Sequence, residues 1–124
     1  MRALEYISIG TLICEYVGEV LTARGSLKRK QNDSIFSLIR TPHSRTSLDI
    51  CPHKFGNISR FFSGINNKNR LAKVVMENIQ TMRFKYRGKG RVLFFTKKNI
   101  QPGDDLYIDY NAGAFVEYPT DTFI

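Results

Sequence analysis

The chain has 124 residues, of which 42% are hydrophobic, and its formal net charge is +8. This length suits one compact domain with one core and leaves little room for a second. No apolar run approaches the roughly 18 residues that a membrane span needs, and the first residues lack a signal-peptide pattern, so we expect a soluble intracellular protein without membrane contact.

Short strands dominate the pattern of the first half. The segment TLICEYVGEVL, residues 11–21, mixes β-branched and aromatic residues around Gly18, which predicts two short strands that meet at a bend. SIFSLIR and SLDIC predict two further strands, and the intervening TPHSRT predicts a turn. SLKRKQND, residues 26–33, is the predicted mobile loop.

The second half combines a polar loop, a helix and a hairpin. RFFSGINNKNR, residues 60–70, starts apolar but continues with Ser, Gly and Asn, which argues against a helix or a central strand. LAKVVMENI, residues 71–79, predicts about two turns of amphipathic helix. MRFKY and RVLFFT flank RGKG and predict a β-hairpin. IQPGDDL predicts a turn before the strand LYIDY.

Residue types that commonly carry catalysis are sparse. Cys14 and Cys51 lie in apolar runs without ligand spacing, which favours reduced core thiols over the alternatives of a disulfide or a metal site. His43 and His53 lie in polar turns and are predicted to be structural or at the surface. GKG at 88–90 fits a hairpin turn better than a phosphate loop, because the strand, glycine spacing and helix of that motif are missing.

The charges are distributed unevenly along the chain. Ten Lys or Arg residues lie between Lys68 and Lys98 against the single acid Glu77, whereas from Asn99 onward there are five acids and no Lys or Arg. A basic face suits a phosphate backbone, so DNA contact through this stretch is one prediction. The acidic end suits a cationic peptide.

Three motifs resemble one family, in order and over nearly the whole chain. GTLICEYVGEVLT, KFGNISRF and RVLFFTKKNIQPGDDLYIDYN resemble the successive core motifs of a SET domain, the fold of most protein lysine methyltransferases. The resemblance implies a single SET domain over residues 1–124. It also implies a mainly β fold of the β-clip type, with several short sheets, little helix and a knot-like C-terminal crossing.

Further segments resemble one subfamily. NDSIFSLI, SLDICPHKFGN, RFFSGINN and EYPTDTF are similar to segments of the plant trithorax-related monomethyltransferases and their protist relatives. That subfamily is known for placing one methyl group on lysine twenty-seven of histone H3. The resemblance therefore implies S-adenosyl-L-methionine as cofactor, the histone H3 tail or nucleosome as partner, and the chromatin of the nucleus as location.

The resemblance also implies a cofactor site. By motif position its residues are Arg2, Ala3, Arg60, Phe61, Asn66, Asn67 and Tyr110. The two asparagine carboxamides both donate and accept, which suits the zwitterionic end of the cofactor, although capping of a tight turn is the alternative. Asn57 and the stretch from Arg60 to Phe62 resemble the segment that SET domains thread beneath their C-terminal strand.

Catalysis in such a site requires a neutral lysine amine, which a narrow apolar channel favours. Tyr110 matches the family's catalytic tyrosine, and Tyr16 matches a tyrosine that lines the lysine channel. Tyr107, Ile108 and Glu117 are the further predicted substrate contacts. The segment at 112–123 is expected to close the channel, since the chain has too few cysteines for a flanking zinc cluster.

The chain departs from the family pattern at three places. Lys68 follows Asn67 where the subfamily has His, and Ile108 stands where Phe or Tyr is common. The family's Gly-x-Gly segment precedes the Arg-Ala that Arg2 and Ala3 resemble. Because the chain begins at Met1, either the coding sequence extends further upstream or part of the cofactor cradle is missing.

Three alternatives to a histone methyltransferase remain open. The first is a SET-like domain that binds histone or chromatin without turnover. The second is a methyltransferase that acts on a non-histone protein, and the third is a nucleic-acid-binding protein that uses the basic stretch.

Overall fold

The computed structural model describes residues 1–26, 35–39, 46–65 and 70–110. Contacts divide the chain into two compact units. Unit 1 contains Met1–Cys14, Phe61–Met82 and the chain from Leu93 onward, and unit 2 contains Glu15–Arg60 and Arg83–Val92. Of the predicted loop at 26–33 only Ser26 is described, and there the prediction is wrong, because Ser26 is buried and helical. Most of the TPHSRT turn and His43 lie outside the described residues, whereas His53 is exposed as expected.

Within the described residues, eight short or medium strands form three sheets. The strands are β1 (Leu12–Glu15), β2 (Glu19–Thr22), β3 (Phe36–Ile39), β4 (Leu48–Cys51), β5 (Ser63–Gly64), β6 (Ile79–Tyr86), β7 (Lys89–Thr96) and β8 (Tyr107–Ile108). The sheet orders are β1-β7-β6, β2-β4-β3 and β5-β8. Helical structure among the described residues is α1 (Ala23–Ser26), α2 (Arg70–Met76) and a 3-10 turn at Ile58–Phe61. The predicted mainly β fold with several small sheets is confirmed.

Unit 2 is built on an antiparallel sheet that starts at a glycine. β2 and β3 both pair antiparallel with β4, and Glu19 lies opposite Cys51. Gly18, just before β2, packs directly on the backbone of β4: a Cβ at this position would lie 2.7 Å from the carbonyl carbon of Cys51. The predicted bend at Gly18 is confirmed, and its cause is this close approach.

The hairpin of β6 and β7 has the turn that its sequence favours. Arg87 and Gly88 form the two-residue turn, with φ of 51° and 77°. Positive φ at both central residues is the type I′ geometry, which matches the twist of the flanking strands. The predicted hairpin is confirmed, although Lys89 and Gly90 belong to β7 and not to the turn.

Unit 1 has an apolar core to which its first and last described segments contribute. The almost fully buried side chains are Ala3, Phe62, Ile65, Ile79, Phe94, Ile100, Leu106 and Ile108. The N-terminal segment pairs antiparallel with the later chain, with bridges from Arg2 to Asp105 and from Ile7 to Ile100. The predicted turn lies between Ile100 and Asp105 in the later chain, and its Gly103 has φ of 91°.

Helix α2 is confirmed but is shorter at its end than predicted. It ends at Met76, and Ile79 already belongs to β6. The Lys98 Nζ donates to the carbonyl oxygens of Val74 and Val75 at 2.6 and 2.9 Å, which satisfies groups that a helix end leaves open. No helix within the described ranges is long and apolar enough to cross a membrane.

Both cysteines are free thiols. Cys51 is buried, and Cys14 is half-buried in unit 1. Burial raises the pKa of the Cys14 thiol to about 11, because the thiolate would lose solvation. The thiol is therefore protonated at neutral pH, which fits a structural side chain and not a nucleophile.

We expect Cys14 to react slowly with iodoacetamide below pH 9 and to gain reactivity up to about pH 11. In the Cys51→Ala variant the alkylation rate against pH reports Cys14 alone, with glutathione as the reference thiol. Because the Cys14 pKa is raised in the folded state, the neutral thiol contributes fully to the free energy of unfolding below the ordinary thiol pKa. This contribution is lost as the pH rises through about 11. A rate profile equal to that of glutathione would contradict this.

Replacing Gly18 by alanine is expected to destabilise the protein, since the new methyl would meet the backbone of Cys51 and Pro52 at 2.7 to 2.8 Å. Overpacking of this kind costs about 1–3 kcal/mol. Urea denaturation should show a lower midpoint. Gly25→Ala is the matched control, because its nearest neighbour is the Thr22 hydroxyl at 3.0 Å. Equal midpoints for the two variants would show that the close approach is not limiting.

Candidate active site

Strand β8 ends two residues before the predicted catalytic tyrosine, Tyr110, and β5 pairs with one edge of β8. The two strands pair parallel, with Ser63 opposite Tyr107 and Gly64 opposite Ile108. The Ile65 amide donates to the Ile108 carbonyl at 3.1 Å. β8 lies within the predicted strand LYIDY, whereas β5 was not predicted as a strand.

The N-terminal segment holds the chain just before β8. The Leu106 amide donates to the Met1 carbonyl at 2.9 Å, and the Ala3 amide donates to the Asp104 carbonyl at 2.8 Å. The Arg2 guanidinium forms an ion pair with Asp105 at 3.0 Å, whose hydrogen bond lowers the pKa of that carboxyl and raises the pKa of Arg2. Since both side chains are exposed, the backbone bonds matter more for stability than the ion pair.

Asn78 forms a third support for β8. Its Nδ2 donates to the Asp105 carbonyl at 2.8 Å, and its Oδ1 accepts from the Tyr107 amide at 2.8 Å. Its backbone amide also donates to the Tyr107 carbonyl at 3.3 Å. One side chain therefore satisfies two backbone groups of the later chain, in the manner of a strand partner.

The hydroxyl of Tyr110 is fixed by a backbone group. It donates to the carbonyl oxygen of Phe62 at 2.6 Å. The Phe62 ring is buried and packs edge-on against Phe94, with centroids 5.0 Å apart. Since the phenol proton is committed to this carbonyl, the phenol oxygen acts as an acceptor towards any other group that reaches it.

Ile108 and Tyr107 point to different surroundings, as alternation along a strand requires. Ile108 is 2% exposed and belongs to the core of unit 1, whereas Tyr107 is half-buried. Tyr107 borders an open cavity of about 260 Å³ lined by Val75, Met76, Asn78, Lys98, Asn99, Asp104 and Asp105. The amide, ammonium and carboxylate side chains that line this cavity already form hydrogen bonds within the protein.

Unit 2 contains Tyr16 and Arg60. Tyr16 is 4% exposed, and its ring packs against Phe36 with centroids 5.0 Å apart. Its backbone amide donates to the Val92 carbonyl at 2.9 Å. The Arg60 Nη1 donates to the Pro52 carbonyl at 3.3 Å. Tyr16 is thus a rigid aromatic residue, and Arg60 braces the turn after β4.

Asn57 and Glu15 join the chain just before Arg60 to the chain just before Tyr16. The Asn57 Nδ2 donates to the Glu15 carbonyl at 3.0 Å, and its Oδ1 accepts from the Ser59 amide at 2.9 Å. The Glu15 carboxylate accepts both guanidinium bonds of Arg91 at 2.7 and 2.8 Å. The Asn57 carboxamide therefore joins the start of the 3-10 turn to the end of β1.

The predicted site residues fall into three groups. Unit 1 contains Arg2, Ala3, Phe61, Tyr107, Ile108 and Tyr110, and unit 2 contains Tyr16 and Arg60. Asn66, Asn67 and Glu117 lie outside the described residues. The roles assigned to all of these residues stay predictions.

Two residues have supporting roles that were not predicted. Phe62 acts through its carbonyl, for which a side-chain pattern gives no signal. Asn78 ends an amphipathic stretch and looks like an ordinary polar residue after a helix. Its position between α2 and β6 was the available hint, because an amide at an element boundary often bonds to backbone.

A family comparison decides the identity of the fold. The profile of the SET domain family matches residues 1–111. The chain is a member of the SET domain family. The small sheets, including the parallel β5 and β8 pair, are thus those of a SET domain.

Similar proteins include plant histone methyltransferases. The chain is 43% identical over 117 residues to the histone-lysine N-methyltransferase ATXR5 of Arabidopsis thaliana, covering 92% of this chain and 29% of that protein. It is 36% identical over 124 residues to ATXR6 of the same plant, covering 100% of this chain and 35% of that protein. The chain therefore spans about a third of the length of these relatives.

A solved structure shows the same fold. The structure of ATXR5 in complex with histone H3.1 mono-methylated on R26 superposes with a TM-score of 0.91 at 39% identity. The match covers 99% of this chain and 56% of that chain. The resemblance to the trithorax-related subfamily is confirmed.

Replacing Asn78 by alanine is expected to lower the free energy of unfolding by about 2 kcal/mol, since two backbone groups lose their partner at about 1 kcal/mol each. Chemical denaturation measures this loss. Asn99→Ala is the matched control, because Asn99 accepts a single exposed bond from the Ile9 amide. If both variants lose the same stability, Asn78 is not the support of β8 described above.

Proposed function

We propose that the protein transfers a methyl group from S-adenosyl-L-methionine to a lysine side-chain amine of the histone H3 tail. The observation that carries this is the Tyr110 hydroxyl fixed on the Phe62 carbonyl at 2.6 Å within a SET domain. The finer proposal is monomethylation of lysine twenty-seven, in the chromatin of the nucleus.

Similarity supports the substrate. ATXR5 and ATXR6 are both histone-lysine N-methyltransferases, and ATXR5 has been crystallised with histone H3 methylated on R26. That arginine immediately precedes lysine twenty-seven. A chain 43% identical to ATXR5 is thus proposed to bind the same part of the tail.

Tyr110 would act as a hydrogen-bond acceptor for the substrate amine. With its proton donated to Phe62, its oxygen can accept a hydrogen bond from the substrate amine. This fixes the amine and favours approach along one line, which lowers the entropic part of the barrier. An apolar channel favours the neutral amine that is required for attack.

Ile108 bears on how many methyl groups are added. A hydroxyl at this position could bond to a water or to the substrate amine, but the Ile108 side chain has none and is 2% exposed. At this position, any influence on product number would therefore come from the volume of the side chain and not from a hydrogen bond.

The cofactor supplies the methyl group when it is bound. Arg2 and Ala3 are already used by the pairing with 103–105, since the Ala3 amide and carbonyl both bond there. They would therefore support the cofactor site through the backbone that they hold in place. Phe61, which is 63% exposed, and the carboxamides of Asn66 and Asn67 are the groups proposed to contact it.

A second candidate is histone binding without turnover. Lys68 stands where the subfamily has the histidine that follows its paired asparagines, so one residue next to the proposed cofactor contact differs. This candidate predicts binding of an H3 peptide that does not depend on cofactor, with no methyl transfer.

Tyr110→Phe is expected to lower the rate of methyl transfer by at least about 100-fold, since it removes the oxygen that accepts a hydrogen bond from the substrate amine. The assay measures transfer of radioactive methyl from the cofactor to recombinant histone H3 and to H3 with lysine twenty-seven replaced by arginine. Tyr6→Phe is the matched control, because Tyr6 is exposed and has no assigned role. Mass spectrometry counts the methyl groups on the product.

The outcomes separate the candidates. Labelling that is lost in Tyr110→Phe and in the arginine-substituted histone supports the proposal in full. Labelling that persists on that histone overturns the assignment of the lysine. Tight binding of H3 peptide by the parent protein, with no cofactor binding in calorimetry and no labelling, supports the second candidate.

A further inference from the structure

The basic stretch of the sequence does not form one uniform surface. Within unit 2, the Arg83 guanidinium donates to the Ser37 carbonyl and hydroxyl at 2.7 and 2.8 Å and lies over the Phe36 ring. Arg91 forms its two bonds with Glu15. Both cations are thus occupied in holding β6 and β7 to their neighbours.

The cations of unit 1 are also engaged where the structure describes their side chains. Lys97 pairs with Glu77, which is 8% exposed, at 3.0 Å. Lys98 bonds to the carbonyl end of α2. Lys68 and the side chains of Arg70 and Lys73 lie outside what the structure describes.

Three cations remain at the tip of the hairpin. Lys85, Arg87 and Lys89 are exposed, and their side chains form no ion pair or hydrogen bond with the described part of the chain. We call them the tip cations. Tyr86, which is 51% exposed, lies among them, and the Arg87 guanidinium stacks 5.3 Å from the centre of its ring.

The hairpin geometry distributes these charges around its end. Tyr86 and Lys89 flank the two-residue turn and share one face, whereas Lys85 lies on the other face because side chains alternate along a strand. Arg87 extends from the turn itself. A ribbon with cations on both faces and at its end fits between two rows of phosphates, and a DNA groove admits a two-stranded ribbon.

We propose that the hairpin tip, through Lys85, Arg87 and Lys89, binds the phosphate backbone of double-stranded DNA. The choice of DNA over an acidic protein surface rests on the proposed function, because a histone tail lies beside DNA wrapped on the histone octamer. Contact with phosphates would hold the domain near its substrate and is independent of base sequence.

The test measures binding of a fluorescent 20-base-pair DNA by anisotropy at several salt concentrations, without cofactor or histone. Each phosphate contact contributes a slope of about −0.9 to log K against log salt. The double variant Lys85→Gln/Lys89→Gln should therefore reduce the slope by about 1.8. Arg24→Gln/Lys54→Gln removes two exposed cations elsewhere in unit 2 and should leave the slope unchanged.

A third variant separates charge from folding. Arg87→Asn removes one charge but places Asn-Gly in the turn, the pair that a type I′ turn favours. It should reduce the slope by about 0.9 while thermal stability stays equal or rises. A loss of DNA binding in this variant cannot come from an unfolded hairpin.

Equal slopes for the tip and control doubles would overturn the proposal. So would a tip double that binds DNA normally but loses binding to an acidic polypeptide, for which polyglutamate is the probe. Since DNA binding is measured without methyl transfer, failure here leaves the proposed methyltransferase function untouched. If that function fails but the tip slope holds, DNA binding stands alone.

Discussion

The hydrogen bonds around the two-residue strand β8 are the interaction on which the rest of the site depends. A strand of this length has almost no stability by itself. Here residues 63–65 bond along one edge, the segment after Met1 holds the chain just before it, and the Asn78 side chain adds two backbone bonds. Tyr110 lies two residues after β8, and its hydroxyl is fixed on the Phe62 carbonyl. Its position therefore depends on the hydrogen bonds that hold β8.

The predictable parts of the fold are those that short-range patterns determine. Gly18, the Arg87-Gly88 turn and the turn at Gly103 each have a backbone conformation or a close contact that the sequence signals directly. The 3-10 turn at Ile58–Phe61 and strand β5 were missed, because they are short and form through tertiary bonds that propensity does not encode.

For the predicted site residues, the motif order singles out Tyr110 and Tyr16, but it does not show what holds each of them. The Phe62 carbonyl carries no side-chain signal, and the bonds of Asn78 join positions that lie 27 and 29 residues apart in the chain. The charge pattern showed that the stretch is basic, but it did not show which of its basic residues form contacts within the fold. Seven of the ten basic residues have described side chains, and four of those seven serve the fold, which leaves the three at the hairpin tip.

The pairing of Arg2 with Asp105 joins residues that are 103 positions apart. Long-range pairing slows folding, because the loop must close before its contacts repay the entropy. During synthesis the N-terminal segment therefore leaves the ribosome long before its partner strand exists. Tyr110 can reach its fixed position only after nearly all of unit 1 has been translated, so ribosome-bound chains that end before β8 would have an unformed site.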